Sequence, residues 1–222
     1  MLLLQNSLLV QDLISKSDVA DILDAVLCGR HLGLNECIRL IKSDDAYSIG
    51  LVGSMLRQRL YGNTATFVNN IILNYTNVCI TYCKFCAFYR PPGHEQSYTL
   101  SIDEIVRRVA VSRDAFGITQ VLIQGGHNPN LKIEYYEEAF KAIREKCPEV
   151  GIHGLSASEI DMIARVEKSS IKEILSRLKA AGLDSLPGAG AEILDDYVKA
   201  EISPLKIKSH EWIRIMELAH EI

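Results

Sequence analysis

Four short apolar runs alternate with amphipathic helical segments over the last two thirds of the chain. The runs cover residues 67–75, 120–124, 150–155 and 183–186, and helically spaced apolar residues cover 101–116, 135–146 and 170–181 between them. A strand, a helix and a second strand joined in this order form a right-handed crossover, which makes the two strands parallel. The alternation therefore predicts an α/β fold built on a parallel sheet.

Residues 1–66, which precede this region, show a different sequence pattern. Residues 1–66 contain helical apolar patterns at 18–27 and about 44–60, with glycines after them that end a helix, and no clustered reactive side chains. We expect an N-terminal helical extension over 1–66 and a β/α region over 67–222. A closed eight-stranded β/α barrel typically takes ~250 residues. The remaining length therefore predicts the first half of a (β/α) TIM-type barrel that is incomplete at its C-terminal side.

Composition and charge narrow the class of protein. Apolar residues make up 48% of the chain and charged residues 23%, which is typical of a soluble globular protein. The formal net charge is −4, and no run of five basic residues occurs, so a nucleic-acid partner is not expected. No apolar stretch approaches the ~20 residues that span a bilayer, and residues 1–10 lack the basic start of a signal peptide. We expect a cytoplasmic protein with no membrane partner.

Three of the six cysteines fall within eight residues. Cys79, Cys83 and Cys86 form a C-x3-C-x2-C pattern directly after the first predicted strand. Ordinary electron-transfer [4Fe–4S] clusters are held by four cysteines, one on each iron. Three cysteines leave one iron open to a chelating ligand that offers an amino and a carboxylate group. The spacing therefore predicts a cluster with one exchangeable position.

A structural zinc site is the alternative for these cysteines. Together with His94, eight residues beyond Cys86, they would make a Cys3His ligand set. Zinc sites usually use paired C-x2-C or short Cys/His knuckles, and this spacing is different. The strand before the loop and a glycine pair after the second predicted strand favour the iron–sulfur interpretation.

The cysteine loop resembles the signature of the radical S-adenosylmethionine (radical SAM) superfamily. The resemblance includes Phe85, the aromatic residue before the last cysteine, and it implies that the main chain of this residue lies near the adenine of S-adenosylmethionine. Gln124, Gly125 and Gly126 match the superfamily's glycine motif, whose backbone approaches the methionyl amino group. Taken alone, the glycine pair could equally be a plain β-to-α turn. The implied fold is a radical-SAM-type barrel, and the implied cofactors are a [4Fe–4S] cluster and S-adenosylmethionine.

Longer segments narrow the resemblance. Residues 74–79, 86–90, 124–129 and 183–194 resemble the group that contains the menaquinone-pathway radical enzymes and the deazaflavin-forming synthases. Within it, the Cys-Ala-Phe-Tyr-Arg and Gln-Gly-Gly-x-Asn-Pro forms are most similar to the cyclic dehypoxanthine futalosine synthases. The resemblance implies that a 5′-deoxyadenosyl radical takes hydrogen from the substrate ribose, after which the ring closes on the substrate's own benzoate. It also implies a small-molecule substrate and an external one-electron donor of flavodoxin or ferredoxin type. Aminofutalosine synthase and the deazaflavin synthase subunit stay open as alternatives.

Several other residues are candidates for binding or catalysis. Ser156 and Glu159 follow the third predicted strand, where Glu159 could bind the adenosyl ribose or an amino group, or could form a helix capping box with Ser156. Glu192 follows the fourth strand, where it could contact ribose hydroxyls or accept a proton, or could lie at a helix start. His127 stands where the superfamily often has an acid, and its role stays open.

Two residues at strand ends complete the candidates. His153 and Tyr75 are predicted to face one cavity, with His153 either a base or a core residue. The candidates for catalysis are thus Glu192, His153 and His127. We expect a solvated loop to carry three basic residues, Lys206, Lys208 and His210.

Overall fold

The computed structural model describes residues 8–222, which divide into two compact units. One unit ends at Phe67, and the other runs from Val68 to Ile222. Most of the 1–10 segment that we examined for a signal peptide lies outside the described residues. Within the described part, no helix is both long and apolar enough to cross a membrane.

The first unit is helical. It contains α1 (Leu8–Ser15), α2 (Ala20–Leu27), α3 (Leu34–Lys42) and α4 (Ala46–Tyr61). Helices α2 and α4 correspond to the two predicted patterns, and α4 is capped by the preceding Asp45, whose side chain accepts a 3.0 Å hydrogen bond from the Ser48 amide. A small apolar cluster fills this unit, and its most buried members are Ile14, Val19, Ile22, Leu23 and Val52.

The second unit contains a parallel sheet of three strands in the order β1-β2-β3. The strands are β1 (Asn70–Asn74), β2 (Gln120–Gln124) and β3 (Gly151–Gly154). The helices are α5 (Ile102–Phe116), α6 (Ile133–Lys146), α7 (Ala157–Glu167), α8 (Ile171–Ala181), α9 (Asp196–Ile202) and α10 (Ser209–Glu221). In register, Asn74 pairs with Gln124 and Ile123 with Gly154, so all three strands end at the same edge. The predicted α/β fold with parallel strands is confirmed.

Local sequence signals place the helices that pack on this sheet. Ser101, Ser156 and Ser170 precede α5, α7 and α8, and each hydroxyl accepts a hydrogen bond of 3.2 Å from the amide three residues later. Gly117 and Gly182 follow α5 and α8 with left-handed backbone, which glycine adopts without steric cost. The apolar faces of the helices and the side chains of β2 and β3 form one continuous core.

The fourth predicted strand, 183–186, is wrong in its extent. It is reduced to one parallel bridge between His153 and Ser185, where the Ser185 carbonyl accepts a 3.0 Å hydrogen bond from the Gly154 amide. The Asp184 side chain accepts a hydrogen bond from the Ile152 amide at 2.7 Å. This side-chain contact takes an amide that a ladder between β3 and residues 183–186 would use. Residues 183–186 therefore lie beside β3 but do not form a fourth strand of the sheet.

Candidate functional site

A cavity of about 230 Å³ opens at the edge where the strands end. The loop after β1 supplies the cysteines, the loop after β2 supplies the glycine pair, and the turn after β3 supplies Ser156. Parallel strands bring these three sequence segments together because their carboxyl ends share one edge. The cavity is lined by Asn74, Cys79, Thr81, Cys83, Phe85, Cys86, Phe88, Tyr89, Gln124, Gly125, Gly126, His127, Ser156, Glu159, Ala189, Gly190, Glu192 and Lys206.

The three thiols lie in one compact loop on the cavity wall. Cys79 and Cys83 are buried, and Cys86 is half-buried. The Thr81 hydroxyl lies 3.0 Å from the Cys79 sulfur and 3.5 Å from the Cys83 sulfur. Within the same turn, Tyr82 has left-handed backbone with φ 47°. A side chain in this conformation costs energy, and such positions are enriched at ligand-binding sites.

Main-chain hydrogen bonds anchor the cysteine loop at three points. The Cys79 amide donates to the Arg90 carbonyl at 2.9 Å, and the Ile80 amide donates to the His127 carbonyl at 3.2 Å. Further along, the Lys84 amide donates to the Ile202 carbonyl at 2.8 Å, which ties the loop to the end of α9. Backbone hydrogen bonds therefore fix the loop that carries the three thiols.

The donor set fits an iron–sulfur cubane better than a zinc ion. Among residues 8–222, no three His, Cys, Asp or Glu side chains converge on a position where they could hold one metal ion. His94, the fourth ligand of the zinc alternative, instead accepts a 3.0 Å hydrogen bond at Nδ1 from the Gln96 amide. A cubane needs no such convergence, because each thiolate binds a different iron. Three buried or half-buried thiols on one loop therefore match the cluster and not the zinc site.

The glycine pair is required by close packing within the chain. A Cβ atom at Gly125 would lie 2.6 Å from the Tyr75 ring, and one at Gly126 would lie 2.2 Å from the Val78 carbonyl oxygen. Both amides are also engaged, because Gly125 donates to the Glu159 carboxylate and Gly126 donates to the Thr76 carbonyl, each at 2.9 Å. The pair thus lets the loop after β2 lie directly against the start of the cysteine loop.

Glu159 forms the capping box that was one of its two predicted roles. Its carboxylate accepts hydrogen bonds from the Ser156 amide at 2.6 Å, the Gly125 amide at 2.9 Å and the Tyr75 hydroxyl at 2.9 Å. Burial raises the pKa of this carboxyl, while these donors act in the opposite direction. Glu159 therefore joins the ends of β1, β2 and β3 into one rigid wall.

His127 lies between this cavity and a second one. The second cavity is lined by His127 and Thr81 together with Ile80, Asp161, Met162, Arg165, Val166, Leu205 and Ile207. Burial, with a smaller contribution from the nearby charges of Lys206 and Arg165, lowers the pKa of His127 to about 4. The imidazole is therefore neutral at physiological pH, and a histidine in either protonation state lacks the negative charge that an acid would provide at this position.

Glu192 and Lys206 form an ion pair at the cavity. The Lys206 ammonium lies 2.5 Å from the Glu192 carboxylate and 5.8 Å from the centre of the Phe85 ring. The expectation that Lys206 lies on a solvated loop is wrong, since its side chain is only 13% exposed. Glu192 does not begin a helix either, because α9 starts at Asp196.

His153 and Tyr75, which we expected to face one cavity, are both absent from the lining of the cluster cavity. His153 is outside the described cavity lining, and its Nδ1 atom is 2.7 Å from the Ser185 hydroxyl. Tyr75 is 1% exposed and packs edge-on against Tyr136 in the core. Alternation along β3 turns His153 to the opposite face from the buried Ile152, whereas Tyr75 follows the last residue of β1 and turns inward.

Sequence reasoning missed Thr81 and Lys206. Thr81 occupies one of the variable positions between Cys79 and Cys83. The only signal for its contact with sulfur was a hydroxyl side chain between two cysteines. Lys206 lies 120 residues beyond Cys86 in the chain, and no motif connects it to the cysteines. Its position depends on the contact between the cysteine loop and α9.

The fold and the site define a protein that binds a cluster at the carboxyl edge of a β/α barrel-type sheet. The family profile of the radical SAM superfamily matches residues 73–222. The chain belongs to the radical SAM superfamily. It therefore comes from an enzyme class whose cofactors are a [4Fe–4S] cluster and S-adenosylmethionine.

Several curated proteins are similar to this chain. Cyclic dehypoxanthine futalosine synthase from Streptomyces coelicolor is 41% identical over 92% of the chain and 52% of its own length. The 5-amino-6-(D-ribitylamino)uracil–L-tyrosine 4-hydroxyphenyl transferase from Methanopyrus kandleri is 39% identical over 80% of the chain and 48% of its own length. Aminodeoxyfutalosine synthase from Thermus thermophilus is 32% identical over 90% of the chain and 54% of its own length. The chain thus spans about half the length of the curated relatives it matches.

A solved structure supports the fold independently. The crystal structure of HydG, a maturase of the [FeFe]-hydrogenase, superposes with a TM-score of 0.71 at 18% identity. The match covers 97% of this chain and 48% of that one. The predicted radical-SAM-type barrel architecture is confirmed, and the three strands seen here correspond to part of it.

Proposed function

We propose that this chain carries the cluster-binding part of a cyclic dehypoxanthine futalosine synthase. In this proposal, Cys79, Cys83 and Cys86 hold the cluster, and the open iron takes the amino and carboxylate groups of S-adenosylmethionine. The substrate is dehypoxanthine futalosine, and the product is its cyclic form. An external one-electron donor of flavodoxin or ferredoxin type completes the requirements.

One observation carries the cofactor part of the proposal. The three thiols share a cavity with the loops that follow β2 and β3, so one bound molecule can touch the cluster loop, the glycine loop and the start of α7 together. The substrate part is supported by the 41% identity to a cyclic dehypoxanthine futalosine synthase and by the Cys-Ala-Phe-Tyr-Arg and Gln-Gly-Gly-x-Asn-Pro forms of the motifs.

Each group of residues has a defined task in this proposal. When bound, the cofactors supply a carbon radical that removes hydrogen from the substrate ribose. Glu159 fixes the glycine loop against the wall, so the cavity keeps its shape when a ligand enters. Phe85 is 53% exposed at the cavity, where its ring is free to pack on a flat ligand group. The chain's contribution is to hold the reacting groups in a geometry suited to an intramolecular attack.

The second candidate is a sister enzyme of the same superfamily. Relatives with the names of a 4-hydroxyphenyl transferase and an aminodeoxyfutalosine synthase match nearly as much of the chain. The three reactions differ in substrate and share the cluster site, so only substrate turnover separates them.

The test is anaerobic reconstitution followed by substrate assays. We expect ~4 iron per chain and consumption of dehypoxanthine futalosine with release of 5′-deoxyadenosine and methionine. Cys83→Ala should lose the cluster signal and all turnover. Cys147→Ala is the matched control, because Cys147 is also buried but lies at the end of α6. Turnover of the tyrosine or aminofutalosine substrates instead would move the assignment to a sister enzyme.

A further inference from the structure

The parallel sheet has a covered face and an open face. Val121 and Ile152 point to the covered face, where they are fully buried in the core formed with the helices. The residues that alternate with them point to the open face, where Leu122 and His153 are only half-buried and Ile72 of β1 is 67% exposed. In a β/α barrel the helices lie outside the strands, so the open face is the inner one.

The open face continues into the cluster cavity. Asn74 and Gln124 pair at the carboxyl ends of β1 and β2, and both line that cavity. His153 pairs with Leu122, which lies two residues before Gln124 and therefore points to the same face. At a rise of about 3.3 Å per residue, His153 is about 7 Å further from the cavity edge than Gln124. A ligand that extends from the cavity along the sheet therefore reaches His153.

His153 forms a polar pair with Ser185 on this face. The two residues form the parallel bridge beside β3, and the His153 Nδ1 atom lies 2.7 Å from the Ser185 hydroxyl. Within residues 8–222, the other ring nitrogen, Nε2, has no hydrogen-bond partner. The neighbouring side chains in the same row across the sheet, Ile72 and Leu122, are apolar. The pair is therefore the polar contact that this row offers to a ligand.

The chemistry of the pair suits a hydroxyl group. Burial lowers the pKa of His153 below its usual value of 6.5, so the imidazole is neutral at physiological pH. A neutral imidazole has one donor and one acceptor nitrogen, and the Ser185 hydroxyl can donate or accept. The free Nε2 atom can therefore take either role, according to the direction of the bond at Nδ1. A ligand hydroxyl, which also donates and accepts, matches this uncharged pair better than a carboxylate or an ammonium group does.

We propose that the Nε2 atom of His153 hydrogen-bonds a sugar hydroxyl of the substrate, and that Ser185 orients the imidazole for this contact. The inference rests on the proposed function, in which the radical removes hydrogen from the substrate ribose. The ribose then lies at the cluster cavity, and the open face that carries His153 continues from the wall of that cavity. His153 contacts the substrate in this proposal, whereas Ser185 is a positioning residue.

The test compares His153→Leu and His153→Gln with the control Gln120→Leu. Gln120 points to the same face, two residues before Leu122 and thus further from the cavity, so its substitution makes a similar polar-to-apolar change away from the pair. Two quantities are measured by equilibrium binding to the anaerobically reconstituted protein. They are the Kd for dehypoxanthine futalosine and the Kd for S-adenosylmethionine.

His153→Leu should raise the Kd for dehypoxanthine futalosine about fivefold, as expected for the loss of one neutral hydrogen bond. The Kd for S-adenosylmethionine should stay unchanged, as should both values in Gln120→Leu. His153→Gln should recover part of the affinity, because its side-chain amide can donate or accept near the position of Nε2. Ser185→Ala should weaken substrate binding less than His153→Leu does, and Ser185→Thr should restore it because threonine keeps the hydroxyl.

The inference is overturned if His153→Leu leaves the substrate Kd unchanged, or if Gln120→Leu raises it equally. A parallel loss of S-adenosylmethionine binding in His153→Leu would also overturn it, since the effect would then be a general loss of structure. If the wild type instead binds 5-amino-6-(D-ribitylamino)uracil, the proposed function moves to the sister transferase. The ribityl chain also carries hydroxyls, so the same variants then decide the role of His153 with that ligand. If the wild type binds neither compound, the proposed function and this inference both fail.

Discussion

The Tyr75 hydroxyl donates a 2.9 Å hydrogen bond to the Glu159 carboxylate in the interior of the second unit. Tyr75 directly follows β1, and Glu159 lies in the first turn of α7, after β3. The same carboxylate accepts from the Gly125 amide after β2. One buried side chain thus connects the carboxyl ends of all three strands, and the cluster cavity is built on this connection.

We predict that Tyr75→Phe destabilises the protein by about 1–3 kcal/mol, because a buried carboxylate loses a donor without replacement. Urea denaturation measures the free energy of unfolding. Tyr135→Phe is the matched control, since the Tyr135 hydroxyl donates to the Leu100 carbonyl at 2.9 Å without contacting a charge. It should cost less than Tyr75→Phe. Equal losses in the two variants would contradict the connecting role of Glu159.

Gly126→Ala should disturb the cysteine loop. Its Cβ atom would lie 2.2 Å from the Val78 carbonyl oxygen and 2.9 Å from the Cys79 Cβ atom. We expect a loss of about 1–3 kcal/mol from overpacking, and iron and sulfide analysis should show less cluster per chain after reconstitution. In the control Gly53→Ala, the new methyl group meets nothing within 4 Å on α4, and it should stabilise that helix by about 1 kcal/mol. Full iron content in Gly126→Ala would refute this prediction.

His127 makes stability depend on pH in a defined direction. Its pKa falls from an ordinary 6.5 to about 4 in the folded protein, so the unfolded chain binds the proton more readily between these values. The contribution of His127 to the free energy of unfolding is therefore complete above pH 6.5. It is lost as pH falls toward 4, and the total loss is about 3 kcal/mol. Denaturation of iron-free protein across this window should show a steeper loss in wild type than in His127→Gln. Parallel curves would contradict the buried, neutral histidine.

Two serines with the same local geometry should differ in their effect on the cofactor. Ser156→Ala and Ser170→Ala each remove a hydroxyl that accepts a 3.2 Å hydrogen bond at a helix start, and each should cost about 1 kcal/mol in unfolding free energy. Only Ser156 lines the cavity. S-adenosylmethionine binding should therefore weaken in Ser156→Ala and stay unchanged in Ser170→Ala, as equilibrium binding would show. Equal affinities in the two variants would remove Ser156 from the site.

The sequence by itself determined the class of fold, the cysteine loop and the helix starts. These are local properties: apolar periodicity, a serine followed three residues later by glutamate, and three cysteines within one short loop. The expectation that 183–186 continues the sheet failed because a local pattern cannot show that the Asp184 side chain occupies the Ile152 amide.

Only the tertiary structure decided which distant residues share the cavity. Lys206 reaches it because the Lys84 amide binds the Ile202 carbonyl, and Glu159 is fixed because three strand ends converge on its carboxylate. His153 lies outside the cavity lining, although its register partner Leu122 is on the same face of the sheet as Gln124, which does line it. Burial and long-range contact arise from the packing of elements far apart in the chain, so charge pairing and pKa at this site could not be derived from sequence spacing.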